Sequence, residues 1–273
     1  MLLGVITLLA VVTAVLVGVG TGNIWLGVLA LIGAFVALLV LAFGFFFVMC
    51  KIIDPKKPQE KDSRFYRALM HLYVDAIITL VRVKITVKGA EKMPAEGRIM
   101  LVSNHRDNID PAFLLTCFRK KQLAFISKRE VQDMFLVGTL MHKILCQPIN
   151  RENDREALKT IQECIRLIKE DEVSIAVFPE GYIHDDRLFH PFRPGVFKIA
   201  QRTKVPIVVC TLHNTLTVFQ NAFQLKRSDV QMNLLAVIQP EEYAGITTVE
   251  LANRIHDMMA EDLGPELVYH GEG

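Results

Sequence analysis

The apolar positions of this chain are concentrated in its first fifty residues, which contain no Lys, Arg, Asp or Glu. Two apolar runs, residues 2–19 and 24–50, are separated by a short polar turn, and neither run has a polar face. At about 1.5 Å per residue the second run exceeds the roughly 30 Å hydrocarbon core of a bilayer, while the first is marginal. The pattern predicts a membrane anchor at residues 1–50. Either both helices cross as a hairpin or the first lies shallow in one leaflet.

The residues that follow the anchor are basic, with six Lys or Arg side chains between positions 51 and 67. By the positive-inside rule this flank faces the cytoplasm, so we expect a cell-membrane protein whose residues 51–273 are cytoplasmic. A cleaved signal peptide is the alternative interpretation of the first apolar run. The lack of a basic segment before that run argues against it.

Helical and alternating patterns succeed one another after the anchor. Residues 51–82 read as a linker and an amphipathic helix from Ser63, which either lies along the bilayer or packs on the domain. Strands are predicted near 83–88, 98–103, 123–127, 173–178, 206–212 and 231–239. Helices are predicted at 111–118, 131–145, from 153, at 196–202 and at 247–262. This alternation predicts an α/β domain over 83–273, with a mixed sheet flanked by helices.

Composition excludes two classes of function. The 31 basic and 29 acidic residues nearly balance, which argues against a general nucleic-acid binder. The five cysteines contain no Cys-x-x-Cys pair, which indicates reduced thiols and offers no zinc site. We therefore expect neither a metal nor a nucleic-acid partner.

The strongest candidate chemistry lies in the polar loop that follows the strand at 98–103. His105 is followed five positions later by Asp110, and a turn brings the carboxylate to the imidazole. The carboxylate would fix the tautomer of the ring and leave the other nitrogen to accept a proton. Because no Gly-x-Ser-x-Gly motif accompanies the pair, His105 is expected to activate a substrate hydroxyl directly.

Three further segments end predicted strands. Glu180 and Gly181, in Phe178-Pro179-Glu180-Gly181, form a tight turn that would contact substrate hydroxyls if its strand neighbours that of His105. Arg151 follows a short strand and would grip a phosphate with its planar guanidinium, whereas Lys128 would add a point charge to the same anion pocket. An ordinary strand-ending turn and solvated surface charges are the alternative interpretations of these segments.

Together these motifs resemble those of the glycerolipid acyltransferase family, of the bacterial 1-acylglycerol-3-phosphate acyltransferase type. Its Asn-His-x4-Asp motif matches Asn104, His105 and Asp110. Its remaining motifs resemble Pro148-Ile149-Asn150-Arg151, Phe178 to Gly181, and Val205 to Val208. The resemblance covers about residues 83–215. The chain departs from the family pattern at two places. After Gly181 it has Tyr182-Ile183-His184 where the family commonly has Thr-Arg-Ser, and it has Asn150 where an acidic residue is common. Arg187 and Arg193 are candidate substitutes for the missing basic residue.

The resemblance implies a membrane-anchored O-acyltransferase that acts in phospholipid biosynthesis. It implies catalytic roles for His105 and Asp110, and substrate-binding roles for Asn104, Lys128, Arg151, Glu180 and Gly181. The donor would be an acyl thioester of acyl carrier protein or coenzyme A, with no cofactor. The acceptor would be a lysophospholipid, with 1-acylglycerol 3-phosphate as the leading candidate. Acyl transfer to glycerol 3-phosphate or a lyso-aminolipid, non-catalytic lipid binding, and lipid hydrolysis are the alternative functions.

Overall fold

The structure is a computed structural model that describes residues 1–55, 57–150 and 152–270. Its first part is an apolar hairpin of two helices, α1 (Leu2–Thr21) and α2 (Ile24–Lys51). Gly22 ends α1 with a φ of 63°, and the side chain of Asn23 caps α2 by accepting the N–H groups of Trp25 and Leu26. Both helices are long and apolar enough to cross a membrane, and few of their residues are buried.

The two helices of the hairpin approach closely at a pair of glycines. A Cβ atom on Gly27 would lie 3.0 Å from the carbonyl oxygen of Ala14 and 3.2 Å from the Cα atom of Gly18. Small residues at this point let the two backbones touch, as in close helix packing within lipid. The hairpin is thus a packed unit.

Helix α3 (Arg64–Leu80) joins the hairpin to the rest of the chain. The phenolic oxygens of Tyr66 and Tyr73 donate to the backbone carbonyls of Met49 and Ala42, at 3.1 and 2.6 Å. Because the residue number on α2 falls as that on α3 rises, the two helices are antiparallel. Of the two placements considered for this amphipathic helix, the structure has it packed: the side chains of Leu69, Met70 and Ile78 are buried.

A seven-stranded sheet forms the centre of the part that the structure describes, in the order β1-β7-β6-β2-β5-β3-β4. The strands are β1 (Val83–Lys88), β2 (Met100–Val102), β3 (Leu123–Lys128), β4 (Gln147–Ile149), β5 (Ser174–Val177), β6 (Ile207–His213) and β7 (Ser228–Ile238). Strands β6, β2, β5, β3 and β4 are parallel, whereas β7 pairs antiparallel to β6 and parallel to β1. The predicted mixed α/β sheet is confirmed.

The helices that cover the sheet follow the predicted order. They are α4 (Asp110–Cys117), α5 (Arg129–Gln132), α6 (Phe135–Lys143), α7 (Asp154–Lys169), α8 (Lys198–Thr203), α9 (Val218–Phe223) and α10 (Thr248–Leu263). Helix α7 packs on β4 and β5, α10 packs on β6, and α3 packs on α4 and β1. The core lies where β2 and β5, which are wholly buried, and β6, which is buried up to His213, meet these helices.

Two helical segments differ from the sequence prediction. The single helix expected at 131–145 is two helices, α5 and α6, which meet at a sharp bend. A Cβ atom on Gly138 would overlap the carbonyl of Gln132, so this glycine is what allows α6 to fold back so closely. Helix α9, which the sequence prediction missed, lies between β6 and β7.

Candidate active site

The two motif loops lie side by side because their strands are neighbours. Strand β2 pairs in parallel with β5, with Val102 opposite Val177, so both loops leave the same edge of the sheet. Strand β6 pairs with β2 on the other side. The carboxyl ends of adjacent parallel strands are the usual place for a ligand site in open α/β sheets. We call this edge, from which the His105 and Glu180 loops both extend, the carboxyl edge.

His105 and Asp110 form a hydrogen-bonded pair at this edge. The His105 Nδ1 atom lies 3.1 Å from Oδ2 of Asp110. The same oxygen accepts the backbone N–H groups of Arg106 and Asp107 at 2.7 and 2.8 Å. The Asp110 side chain is only 1% exposed, whereas that of His105 is 18% exposed. Asp110 therefore holds both the loop and the ring.

The ring of His105 is also held from its face. It stacks on Phe178 of the second motif, with 4.1 Å between the ring centroids and 18° between the planes. The Nε2 atom takes no hydrogen bond within the described part of the chain. The arrangement therefore fixes the ring and leaves one nitrogen available to a substrate.

Glu180 is engaged by the protein itself. Its Oε1 accepts the backbone N–H of His105 at 2.8 Å, and its Oε2 accepts that of His190 at 3.1 Å. The residue is 2% exposed. Burial raises the pKa of this carboxyl to about 8, although the two N–H donors act in the opposite direction. Glu180 thus fastens the His105 loop to the segment that carries His190.

Asn104 and Gly181 also have local structural duties. The Asn104 side chain donates to the carbonyl of Leu212 at 3.0 Å and accepts its N–H at 2.7 Å, which joins the loop to β6. Gly181 has a φ of 96°, and a Cβ atom there would lie 2.9 Å from Nε of Arg193. In the protein itself, Asn104 joins the His105 loop to β6, and Gly181 leaves room for the side chain of Arg193. The substrate-binding roles predicted for both residues stay predictions.

The two predicted anion-binding residues are placed differently. Lys128 ends β3, which adjoins β5, so it lies on the carboxyl edge. Its side chain is 57% exposed and 3.9 Å from the carboxylate of Glu130. Arg151 lies outside the residues that the structure describes.

A pair of arginines beside His105 emerges from the structure. Nε of Arg106 donates to the backbone carbonyl of Arg187 at 3.0 Å, and a terminal nitrogen of Arg187 donates to the carbonyl of Arg106 at 2.9 Å. Burial lowers the pKa of Arg106 below its ordinary value, and the nearby Arg187 acts in the same direction. The carboxylates of Asp110 and Glu180 oppose this shift. Sequence reasoning proposed Arg187 as a substitute cation but gave no role to Arg106, whose position next to His105 was the available signal.

The segment that departs from the family pattern forms a stack of rings. His184 lies between Tyr182 and His190, at centroid distances of 4.4 and 3.4 Å, and His190 stacks on Tyr269 at 4.2 Å. The guanidinium of Arg193 lies 5.4 Å from the centre of the Tyr182 ring. Burial and the neighbouring His190 lower the pKa of His184.

A cleft of about 340 Å³ adjoins the second motif. Phe178, Pro179, Gly181 and Arg193 form one wall. The remaining lining includes the apolar side chains of Ile126, Ile149, Ala157, Ile161 and Val177, together with Asp154. Within the described residues no group of three or more His, Cys, Asp or Glu side chains is arranged to hold a metal ion.

The part of the chain that carries this site resembles known proteins in sequence. Residues 84–213 match the family model described as Acyltransferase. Over these residues the chain is similar to acyltransferases, and the family resemblance drawn from the motifs is confirmed.

Individual relatives and a solved structure are similar to this chain. The chain is 28% identical over 179 residues to a probable 1-acyl-sn-glycerol-3-phosphate acyltransferase of Mycoplasma pneumoniae, covering 64% of each chain. It thus spans slightly less than two thirds of that relative. A relative from Mycoplasma genitalium with the same name is 28% identical over 217 residues, covering 75% of this chain and 78% of its own. The fold matches the crystal structure of the 1-acyl-sn-glycerophosphate acyltransferase PlsC from Thermotoga maritima, with a TM-score of 0.62, 16% identity, and coverage of 99% and 100%.

Proposed function

We propose that the protein transfers a fatty acyl group from an acyl thioester to the free hydroxyl of 1-acylglycerol 3-phosphate, which yields phosphatidate at a membrane surface. The observation that carries the proposal is the His105–Asp110 pair, held against Phe178 with Nε2 available. The names of the relatives supply the acceptor.

The proposed reaction needs a general base, a stabilised imidazolium, and backbone N–H groups or a nearby cation that stabilise the tetrahedral oxyanion. Nε2 of His105 takes the hydroxyl proton as the acceptor oxygen attacks the thioester carbonyl carbon, and Asp110 stabilises the charged ring. The tetrahedral intermediate then collapses, the carbon–sulfur bond breaks, and the departing thiolate takes the proton back from the imidazolium. The His105 base is regenerated and no covalent acyl-enzyme forms.

Positive charge beside His105 suits an acceptor that carries a phosphate. Arg106 and Arg187 use one nitrogen each to bind the other's carbonyl, and no hydrogen bond engages their remaining nitrogens within the described residues. Two guanidinium groups held together in this way offer several charge-assisted donors to one phosphate. Lys128, at the end of β3, would add a further positive charge. Arg151 stays a phosphate-binding candidate from the sequence alone.

Glu180, Gly181 and Asn104 would support the site from behind. Both carboxylate oxygens of Glu180 accept backbone N–H groups, and the side-chain amide of Asn104 is hydrogen-bonded to the backbone of Leu212. These bonds fix where the His105 loop sits relative to β5 and β6, which sets the position of Nε2. The cleft beside Phe178 suits part of an acyl chain along the wall that Ile126, Ile149, Ile161 and Val177 provide.

The hairpin suits an enzyme whose acceptor and product are lipids. It would hold the domain on the cytoplasmic face of the cell membrane, where the basic residues that follow α2 are placed by the positive-inside rule. The donor would be acyl carrier protein or coenzyme A carrying the acyl group, and no cofactor takes part.

Identification of the product tests the proposal directly. Purified protein in vesicles is given one acyl thioester and a set of acceptors: 1-acylglycerol 3-phosphate, glycerol 3-phosphate, a lyso-aminolipid, and none. Mass spectrometry that finds phosphatidate as the main product supports the proposal. A preference for another acceptor, which Ile183 in place of a basic residue motivates, reassigns the substrate. Free fatty acid without an acceptor indicates a hydrolase, and lipid binding without turnover indicates a binding protein.

A further inference from the structure

Helix α9 and the residues that flank it form a surface that the proposed reaction does not use. We call residues 217–227 the α9 segment. Three of its apolar side chains are strongly exposed: Phe223 is 89% exposed, Leu225 is 74% exposed and Phe219 is 44% exposed. Large apolar side chains that cluster on a surface mark an interaction site more often than isolated ones do.

The α9 segment is fixed in place despite this exposure. Val218 is fully buried, and the side chain of Asn221 donates to Oγ of Ser228 at 3.0 Å. The backbone N–H of Lys226 donates to the carbonyl of Asn221 at 2.8 Å. The fold therefore presents Phe223 and Leu225 outward on a braced turn.

The α9 segment lies at the carboxyl edge of the sheet. It connects the end of β6 to the start of β7, and the antiparallel pairing of these strands sets His213 opposite Gln231. The loops of His105 and Glu180 leave β2 and β5 at this edge. Phe223 and Leu225 therefore lie on the same edge of the domain as the candidate active site.

The hairpin points toward this edge as well. Helix α3 runs antiparallel to α2 and ends at Leu80, and the carbonyl of Arg82 then accepts the N–H of Ser228 at 3.3 Å. The end of α3 thus lies beside the end of the α9 segment. Continuing the register of Tyr73 on Ala42 places Leu80 near the middle of α2, so roughly 16 Å of the hairpin project beyond it. Leu80 is itself 73% exposed.

The charge of the α9 segment selects the kind of partner. The segment contains Lys226 and Arg227 and no Asp or Glu. Arg227 makes an ion pair with Asp229 at 3.2 Å, and both side chains are exposed at the surface. Apolar tips with a basic rim match the interface of an anionic bilayer, where apolar side chains enter the headgroup region and cations meet phosphates.

We propose that the α9 segment is a second membrane contact, which inserts Phe223, Leu225 and Phe219 into the interface of an anionic phospholipid bilayer. With the hairpin it gives the domain two separated points of attachment, which turn the carboxyl edge and the Arg106–Arg187 pair toward the lipid. The proposal rests on the proposed function, because it concerns delivery of a lipid acceptor to that same site.

A single-indole experiment tests the contact. The chain has one tryptophan, Trp25, so the Trp25→Phe background frees the indole signal for a reporter. Phe223→Trp places the reporter on the α9 segment, and Val249→Trp places it on α10, at the opposite edge and 53% exposed in the native residue. Vesicles that contain anionic phospholipid with brominated acyl chains should quench the indole at 223 several-fold more than that at 249. Equal quenching, no quenching at 223, or a response at 223 only to acyl carrier protein overturns the proposal.

An activity experiment separates this proposal from the proposed function. The double variant Phe223→Asp, Leu225→Asp should lose at least about tenfold in rate on acceptor embedded in anionic vesicles, because two large apolar groups no longer enter the interface. Its rate on a short-chain, monomeric 1-acylglycerol 3-phosphate should match that of the unaltered protein, which also shows that it folds. An unchanged rate on vesicles refutes the membrane contact. Lack of any transfer by the unaltered protein to either acceptor instead refutes the proposed function.

Discussion

The Oε1 atom of Glu180 lies 2.8 Å from the backbone nitrogen of His105, so the second motif of this domain holds the first through its main chain. The other oxygen of the carboxyl group holds the segment that carries His190. A carboxyl group buried this deeply seldom connects two loops, because burial removes the water that would solvate its charged form. Its protonation should therefore be visible in the stability of the protein.

Stability should fall as the pH rises from about 5 to 8. Burial raises the pKa of Glu180 from 4.5 to about 8. The folded state then holds this proton more tightly than the unfolded chain, so its stability is greatest below the unfolded pKa and is lost as the pH approaches the folded one. The loss should be on the order of a few kcal/mol. Thermal unfolding at pH 5 and pH 8 measures it.

The Glu180→Gln variant isolates this effect. It cannot ionise, so its stability should depend less on pH, although its amide meets one N–H donor unfavourably and lowers stability at every pH. Glu163→Gln is the matched control, since Glu163 is a half-exposed partner of Arg166 on α7. If Glu180→Gln and the unaltered protein lose stability in parallel, the dependence comes from another group.

Removal of the imidazole should abolish most transfer. His105→Ala deletes the proposed base, which typically contributes about 10²–10⁴-fold to a rate. The variant should keep its membrane association, because the hairpin is untouched. Turnover of a labelled acyl thioester with a saturating acceptor measures the loss.

A second histidine provides the control for this experiment. Nε2 of His213 lies 2.8 Å from Asp262, in a cluster that joins β6, β7 and α10. His213→Ala removes a His–Asp pair that takes no part in the proposed reaction, so it should lower thermal stability and leave turnover nearly unchanged. Comparable losses in the two variants would show that the effect is one of folding.

Asp110→Asn should reduce turnover while keeping the loop. The amide oxygen of the new residue can still accept the N–H groups of Arg106 and Asp107, which now bond to Oδ2. It no longer stabilises the imidazolium by charge, so we expect a loss in kcat of about 10²-fold or more. The acceptor KM should stay within a fewfold. A loss confined to KM would move Asp110 from catalysis to acceptor binding.

Substitution of either member of the Arg106–Arg187 pair should weaken binding of a phosphate-bearing acceptor. Hydrogen bonds to charged groups contribute about 1.5–3 kcal/mol each, so Arg106→Gln should raise the acceptor KM by about 10–100-fold. Arg187→Gln should act in the same direction. Arg166→Gln, on the far helix α7, is the charge-matched control. An acceptor without a phosphate should show little difference, and an equal loss on that acceptor would contradict phosphate binding.

The hairpin offers a prediction of its own. Gly27→Leu forces a side chain into the contact with Gly18 and Ala14, where overpacking costs about 1–3 kcal/mol. The protein should then inactivate at lower temperature in vesicles. A Cβ atom on Gly33, on the same helix, would meet nothing within 4 Å, so Gly33→Leu is the matched control. Equal inactivation by both variants would mean that bulk, and not the contact, is responsible.

The sequence predicted the strands and motif loops well because each depends on local information. The apolar run before Asn104 and the spacing of His105 and Asp110 are visible within a dozen residues. The pairing of Arg106 with Arg187 was not visible, because it depends on the neighbourhood of β2 and β5 and on the fold of the segment after Gly181. The duties of Asn104 and Glu180 were hidden for the same reason. Their partners are backbone groups, which no sequence pattern marks.

Helix breaks were also hard to predict. The stretch 131–145 has a continuous helical pattern, yet Gly138 permits a contact with Gln132 that splits it into α5 and α6. An isolated glycine in a helical pattern signals a cost in helix propensity and does not reveal which backbone will approach it. Tertiary packing decides such a position.

The antiparallel contact of α3 with α2 has a consequence for how the reaction rate would scale. It ties the direction of the hairpin to the edge of the sheet that holds His105, so the proposed enzyme meets its acceptor by lateral diffusion in a two-dimensional film. The concentration that matters is then the mole fraction of lysolipid in the bilayer. Diluting the lysolipid with inert lipid at a constant bulk amount would slow the reaction, while adding more vesicles of the same composition would not.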